Sequence, residues 1–234
     1  MKLDIFDNVD SVARNGAAAI AAAARSAVAA RGRFAFAVSG GHTPWIMLEA
    51  LASEDVPWHA VHLYQVDERV APAGDPDRNL THLQQSLLSR VPLAPDQVHA
   101  MPVEARDLDH AAAEYALELQ KAAGSPAVLD LVHLGLGSDG HTASLVPGDS
   151  VLGLTRVDVG LTAVYLGRRR MTLTYPVLNR ARSVLWVVTG SDKSAMLRRL
   201  LDGDGTIPAG RVRRESATVV ADRQAASQPA GAAH

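Results

Sequence analysis

The feature that most constrains this chain is a repeated switch in the spacing of its apolar residues. Near-unbroken apolar runs at 33–38, 60–66, 129–135 and 184–189 are short enough for buried strands, and shorter extended signals fall near Val98, at 162–166 and at 171–175. Between them, helical spacing spans 10–30, 44–51, 79–90, 108–123 and 192–201. Strands separated by helices need crossover connections, which favours an α/β fold with a largely parallel sheet and helices on both faces. One compact domain over residues 1–224 is expected. The stretch 225–234, poor in bulky apolar side chains, reads as a disordered tail.

Composition narrows function mainly by exclusion. The net charge is -2, from 23 basic and 25 acidic residues, so no basic field is available for nucleic acid or an anionic membrane. There is no cysteine, which removes disulfides, thiolate metal sites and cysteine nucleophiles. Asp4, Asp7 and Asp10 stand where a signal peptide needs a basic flank and an apolar stretch, and the alanine-rich segment 16–30 is bounded by Arg14 and Arg31. A cytoplasmic protein with no membrane or nucleic-acid partner is expected. The nine histidines show no metal-ligand spacing, so no metal is expected either.

In a parallel sheet, ligands collect beyond the carboxyl ends of the strands. Four polar segments occupy such places. Ser39-Gly40-Gly41-His42-Thr43-Pro44 joins a strand to a helix; its glycines allow close backbone approach, Thr43 and Pro44 read as N-cap and first turn, and free N–H groups there suit a phosphate. Asp67, Glu68 and Arg69 follow the next strand and offer carboxylates and a cation, or simply a solvated loop. The segment GLGSDGHTAS, residues 135–144, carries Asp139 and His141 two positions apart on a glycine-rich loop. An imidazole titrating near 6.5 can take a proton from water and return it to a leaving oxygen at neutral pH. His133, inside the apolar strand, reads instead as a satisfied core residue.

The fourth segment is bipartite. Arg168, Arg169 and Arg170 lead into MTLTYP, where alternation would put Arg170, Thr172 and Thr174 on one face, and Lys193 follows the last apolar run. Lysine occurs only at positions 2, 121 and 193, and a compact ammonium near a helix start suits a phosphate.

Taken in order, SGGHTP, VDERV, GLGSDGHTASLVPG, RRRMTLTYPVLN and VVTGSDKSAML closely resemble the 6-phosphogluconolactonase family of the oxidative pentose phosphate pathway. The resemblance spans most of the chain. It implies a Rossmann-like fold, hydrolysis of 6-phospho-D-glucono-1,5-lactone to 6-phospho-D-gluconate without a cofactor, and a monomer or weak homo-oligomer. It also implies that His141 is the general base, that Asp67, Arg69 and Asp139 lie nearer the lactone, and that Ser39, Gly40, Gly41, Thr43, Arg170 and Lys193 surround the substrate phosphate or its neighbouring hydroxyls. Three other readings stay open. A Ser-His-Asp route would use Ser144 or Ser138, neither of which sits in a G-x-S-x-G elbow. A glucosamine-6-phosphate deaminase would resemble the same fold but carry an acid where this chain has Val146 and a tyrosine where it has Arg69. A non-catalytic sugar-phosphate sensor would normally add a DNA-binding segment.

Overall fold

The computed structural model describes residues 1–227. Its main sheet has seven strands, all parallel: β1 (Lys2–Phe6), β2 (Phe34–Val38), β3 (Val61–Gln65), β5 (Val98–His99), β6 (Leu131–Leu134), β9 (Val184–Val188) and β10 (Ala217–Asp222). Their spatial order is β1-β10-β9-β6-β2-β3-β5. From β2 the chain moves outward to β3 and β5, then returns to the other side of β2 as β6 and proceeds through β9 to β10. The order therefore reverses between β2 and β6, and the loops leaving those strands part to open a crevice.

A second, antiparallel sheet of β4 (Asp67–Arg69), β8 (Arg170–Leu173) and β7 (Val159–Leu161) stands at the carboxyl end of the first. The charged segment, for which a solvated loop was the alternative to a site role, is thus a strand with Asp67 and Glu68 buried. Glu68 is fully buried there, and its carboxylate accepts the N–H groups of Arg69, Asn79 and Leu80 and the side-chain amide of Gln65, all at 2.8 Å. Four donors offset the desolvation that made a buried position implausible. The extended segment expected at 162–166 falls earlier, at β7, because Leu166 and Gly167 adopt positive φ and reverse the chain.

Helices cover both faces, as alternation within β2 requires. Phe34, Phe36 and Val38 pack with Val12, Ile20, Met47 and Leu48 of α1 (Val9–Arg31) and α2 (His42–Leu51). Ala35 and Ala37 face the opposite cluster, with Tyr115 and Leu119 of α4 (Leu108–Ala123), Leu178 of α5 (Tyr175–Arg180) and Leu200 of α6 (Ser194–Asp202). Local signals set the ends. Asn8 accepts the Ser11 N–H at 2.9 Å to cap α1, Gly32 closes it in the left-handed conformation, and Asp107 caps α4 through His110 N–H at 3.0 Å. The helix expected at 79–90 divides into α3 (Asn79–Leu83) and a π-helical turn at Gln84–Leu88.

Residues 225 and 226, placed in the tail on composition, instead end α7 (Arg223–Ala226). Asp222 accepts the Ala225 N–H at 2.7 Å, and Ala225 is buried. Residues 228–234 of that tail lie outside the described residues. Among the described residues, no helix is long and apolar enough to cross a membrane.

Candidate active site

At the crevice between β2 and β6 lies a cavity of about 510 Å³. Its wall includes every site residue expected from the sequence except Asp139: Ser39, Gly40, Gly41 and Thr43 from the loop after β2, Asp67 and Arg69 from β4, His141, Arg170 and Lys193. Asp139 stands behind His141. The imidazole Nδ1 and the Asp139 Oδ1 are 2.6 Å apart, and the His141 N–H donates to the same oxygen at 3.1 Å. Burial opposes ionisation of Asp139, but the His141 amide and imidazole outweigh it and hold the carboxyl below its usual range. With Nδ1 carrying the proton toward a carboxylate, Nε2 keeps its lone pair.

The loop can bring these groups together because of its glycines. Gly137 donates to the His141 carbonyl at 2.8 Å, and a Cβ there would fall 2.1 Å from the His141 Nδ1. Gly140, at φ 84°, makes the turn between Asp139 and His141.

Asp67 has a different environment. Ser144 Oγ donates to its Oδ2 at 2.5 Å, and the Asn79 amide donates to its carbonyl at 2.9 Å. Arg69 reaches the Asn79 Oδ1. Ser144, the candidate nucleophile of the serine route, is buried and directs its hydroxyl to Asp67 rather than to His141, so the pieces of a triad are present without its connectivity.

On the cationic side, Arg170 is buried, its Nε has no partner, and its guanidinium makes no ion pair among the described residues. Burial, opposed by the charge of Asp67, lowers its pKa from the usual guanidinium value. An unpaired buried cation facing a cavity is suited to an anionic ligand. Lys193 is partly exposed and lies 2.9 Å from Asp192. In the loop after β2, Gly41 has φ 133° and is itself the N-cap of α2, so Thr43 is not the expected cap; its hydroxyl pairs with that of Thr189 at 2.7 Å. Ser39 lines the cavity as expected; its N–H donates to the His133 Nδ1 at 3.2 Å and its hydroxyl to the His133 carbonyl at 3.0 Å, so both donors are engaged within the protein.

Sequence reasoning overlooked Asn79, Thr189 and Asp222, all on the cavity wall. Asn79 had a visible signal, since it opens a helix two turns beyond the charged segment. Asp222 went unseen because its strand did. No group of three or more His, Cys, Asp or Glu side chains among the described residues is arranged to hold a metal ion.

Residues 7–221 match the family described as glucosamine-6-phosphate isomerases/6-phosphogluconolactonase. A 6-phosphogluconolactonase of Synechocystis sp. is 36% identical over 202 residues, covering 84% of this chain and 83% of that one. A 6-phosphogluconolactonase of Mycobacterium tuberculosis is 33% identical over 240 residues, with 97% of both chains covered. The crystal structure of 6-phosphogluconolactonase from Thermotoga maritima superposes with a TM-score of 0.84 at 25% identity, covering 94% of this chain and 98% of that one. With a family match across nearly its whole length and relatives above 30% identity, the chain belongs to the glucosamine-6-phosphate isomerase/6-phosphogluconolactonase family.

Proposed function

We propose that this chain hydrolyses 6-phospho-D-glucono-1,5-lactone to 6-phospho-D-gluconate, with His141 as the general base. The observation that carries the reading is the His141–Asp139 pair, which turns the imidazole Nδ1 toward a carboxylate at a cavity that Arg170, with no hydrogen-bond partner at its Nε, also lines. His141 Nε2 takes a proton from a water, the hydroxide attacks the lactone carbonyl, and the imidazolium returns the proton to the ring oxygen as the C–O bond breaks. Asp139 stabilises the imidazolium between those steps. Acid-base assistance of this kind is worth about 10² to 10⁴ in rate, and the remainder falls to positioning and to oxyanion stabilisation by loop amides and Arg69.

Arg170, Lys193 and the N–H groups at the start of α2 hold the phosphate in this reading, with Asp67 fixed by Ser144 to receive sugar hydroxyls. No cofactor takes part. The site is complete within one chain, which fits a monomer or weak homo-oligomer, and a cytoplasmic location belongs to the same reading. A deaminase would need an acid beside the base. Val146 occupies that position and is buried.

The test is acid release from freshly prepared 6-phosphogluconolactone and from unphosphorylated glucono-1,5-lactone. Turnover of the phosphorylated lactone at least about 10²-fold faster in kcat/KM is expected, the equivalent of two charge-assisted hydrogen bonds. Equal rates on both lactones overturn the phosphate subsite.

A further inference from the structure

Tyr165 belongs to none of the segments that mark the site, yet it touches both halves of it. It begins a two-residue turn in which its N–H donates to the Arg168 carbonyl at 2.9 Å and Leu166 and Gly167 have φ of 49° and 79°. That geometry is usually given to Asn and Gly, and Leu166 adopts it while 78% exposed, with no burial to offset the strain. Arg168 pins the turn from its other side, its Nε and one terminal nitrogen each 3.0 Å from Asp77 and Asp75. A turn strained at one residue and clasped at another fixes where the Tyr165 ring lies.

The ring lies against the acid-base pair. The phenol donates to the Asp139 Oδ2 at 3.3 Å, the oxygen that His141 leaves free, and the ring meets the imidazole edge-on at 5.8 Å between centroids. The Arg170 guanidinium sits over the same ring, 5.1 Å from its centre. A carboxylate anchored at Oδ1 alone can rotate about its Cβ–Cγ bond; one anchored at both oxygens cannot. Burial and the neighbouring Asp139 charge raise the phenol pKa, so it remains a donor through the neutral range.

We propose that Tyr165 is a positioning residue: its hydroxyl holds Asp139, and through it the Nδ1–H form of His141, while its ring braces Arg170. The inference rests on the lactonase reading. Tyr165 is not part of the cavity wall, so it acts through these neighbours. Two substitutions separate its functions, because Tyr165→Phe removes only the hydroxyl whereas Tyr165→Leu removes the ring as well.

The experiment measures kcat, KM and thermal unfolding for Tyr165→Phe, Tyr165→Leu, Asp139→Asn, the Asp139→Asn/Tyr165→Phe double variant and His141→Ala on 6-phosphogluconolactone. Tyr165→Phe is expected to lower kcat about tenfold with KM within about twofold and unfolding unchanged, the effect of one hydrogen bond to a charged group. Tyr165→Leu is expected to raise KM as well, and the double variant to be no slower than Asp139→Asn, since both substitutions break one linkage. An unchanged kcat in Tyr165→Phe, or losses that multiply in the double variant, overturns the hold on Asp139. An unchanged KM in Tyr165→Leu overturns the bracing of Arg170. A fully active His141→Ala overturns the base assignment itself, whereas an inert His141→Ala beside an unaffected Tyr165→Phe overturns only the role of Tyr165.

Discussion

Strand β6 and the loop that leaves it each carry a histidine, eight residues apart, and the two have opposite chemistry. His133 is fully buried, accepts the Ser39 N–H through Nδ1, and has no partner at Nε2. Burial alone pushes its pKa down to about 3, so it is neutral at any physiological pH. His141 keeps contact with solvent and has a carboxylate at one nitrogen and a cavity at the other. An imidazole becomes an acid-base group through a partner that stabilises its charged form and water that can reach it; without either it is a packing residue with one acceptor.

The largest effect separates the two by activity. His141→Ala is expected to reduce lactone hydrolysis by about 10² to 10⁴ with little change in unfolding midpoint. His133→Leu is expected to do the reverse: it keeps kcat within about tenfold but destabilises the fold by roughly 1–3 kcal/mol, because a buried Ser39 N–H loses its acceptor. Denaturant unfolding and steady-state turnover, measured on both variants, check the pair. A His133 variant that folds normally but does not turn over would erase the distinction.

The next effect reads the same contrast through pH. The folded-state pKa of His133 lies below the unfolded value of 6.5, so the unfolded chain binds the extra proton between pH 6.5 and about 3. The stability tied to its neutrality is complete above pH 6.5 and is lost as pH falls through that window. At one proton per molecule this amounts to about 2 kcal/mol between pH 7 and pH 5. Urea unfolding of the natural protein should therefore lose about 2 kcal/mol more over that interval than His133→Leu does. Equal pH dependence in the two proteins would mean that His133 is solvated or charged in the fold.

How much of this was legible in the sequence follows from the same physics. The core strands β2, β3, β6 and β9 are buried on both faces, so they announce themselves as apolar runs. β1 is an edge strand with exposed positions and an internal Asp4, and β10 lies close to a polar tail, so neither was recognised, and Asp222 was missed with β10. The charged β4 looked like a solvated loop because nothing in Asp67-Glu68-Arg69 reveals that Gln65, Asn79 and Leu80 will supply donors to Glu68. The paired His141 and Asp139 were visible because one tight loop holds both. Tyr165 reaches Asp139 across 26 residues, through a turn whose Leu166 carries no turn signature, and local reasoning had no handle on it.

The smallest expected effect concerns Ser39, which joins the two histidine environments. As a member of the Ser39-Gly40-Gly41 loop it was expected at the phosphate, and it does line the cavity, but its donors turn inward to the ring and carbonyl of His133. If the phosphate is held by backbone N–H groups, Arg170 and Lys193, the Ser39 hydroxyl contributes to stability and not to binding. Ser39→Ala keeps the N–H bond to His133 and loses only the hydroxyl bond at 3.0 Å, a change worth about 1 kcal/mol in unfolding free energy. KM for 6-phosphogluconolactone should stay within about twofold, since no contact of the proposed phosphate site is removed. A tenfold rise in KM with unchanged stability would show the hydroxyl turned toward the ligand, and would move Ser39 from the environment of His133 to that of His141.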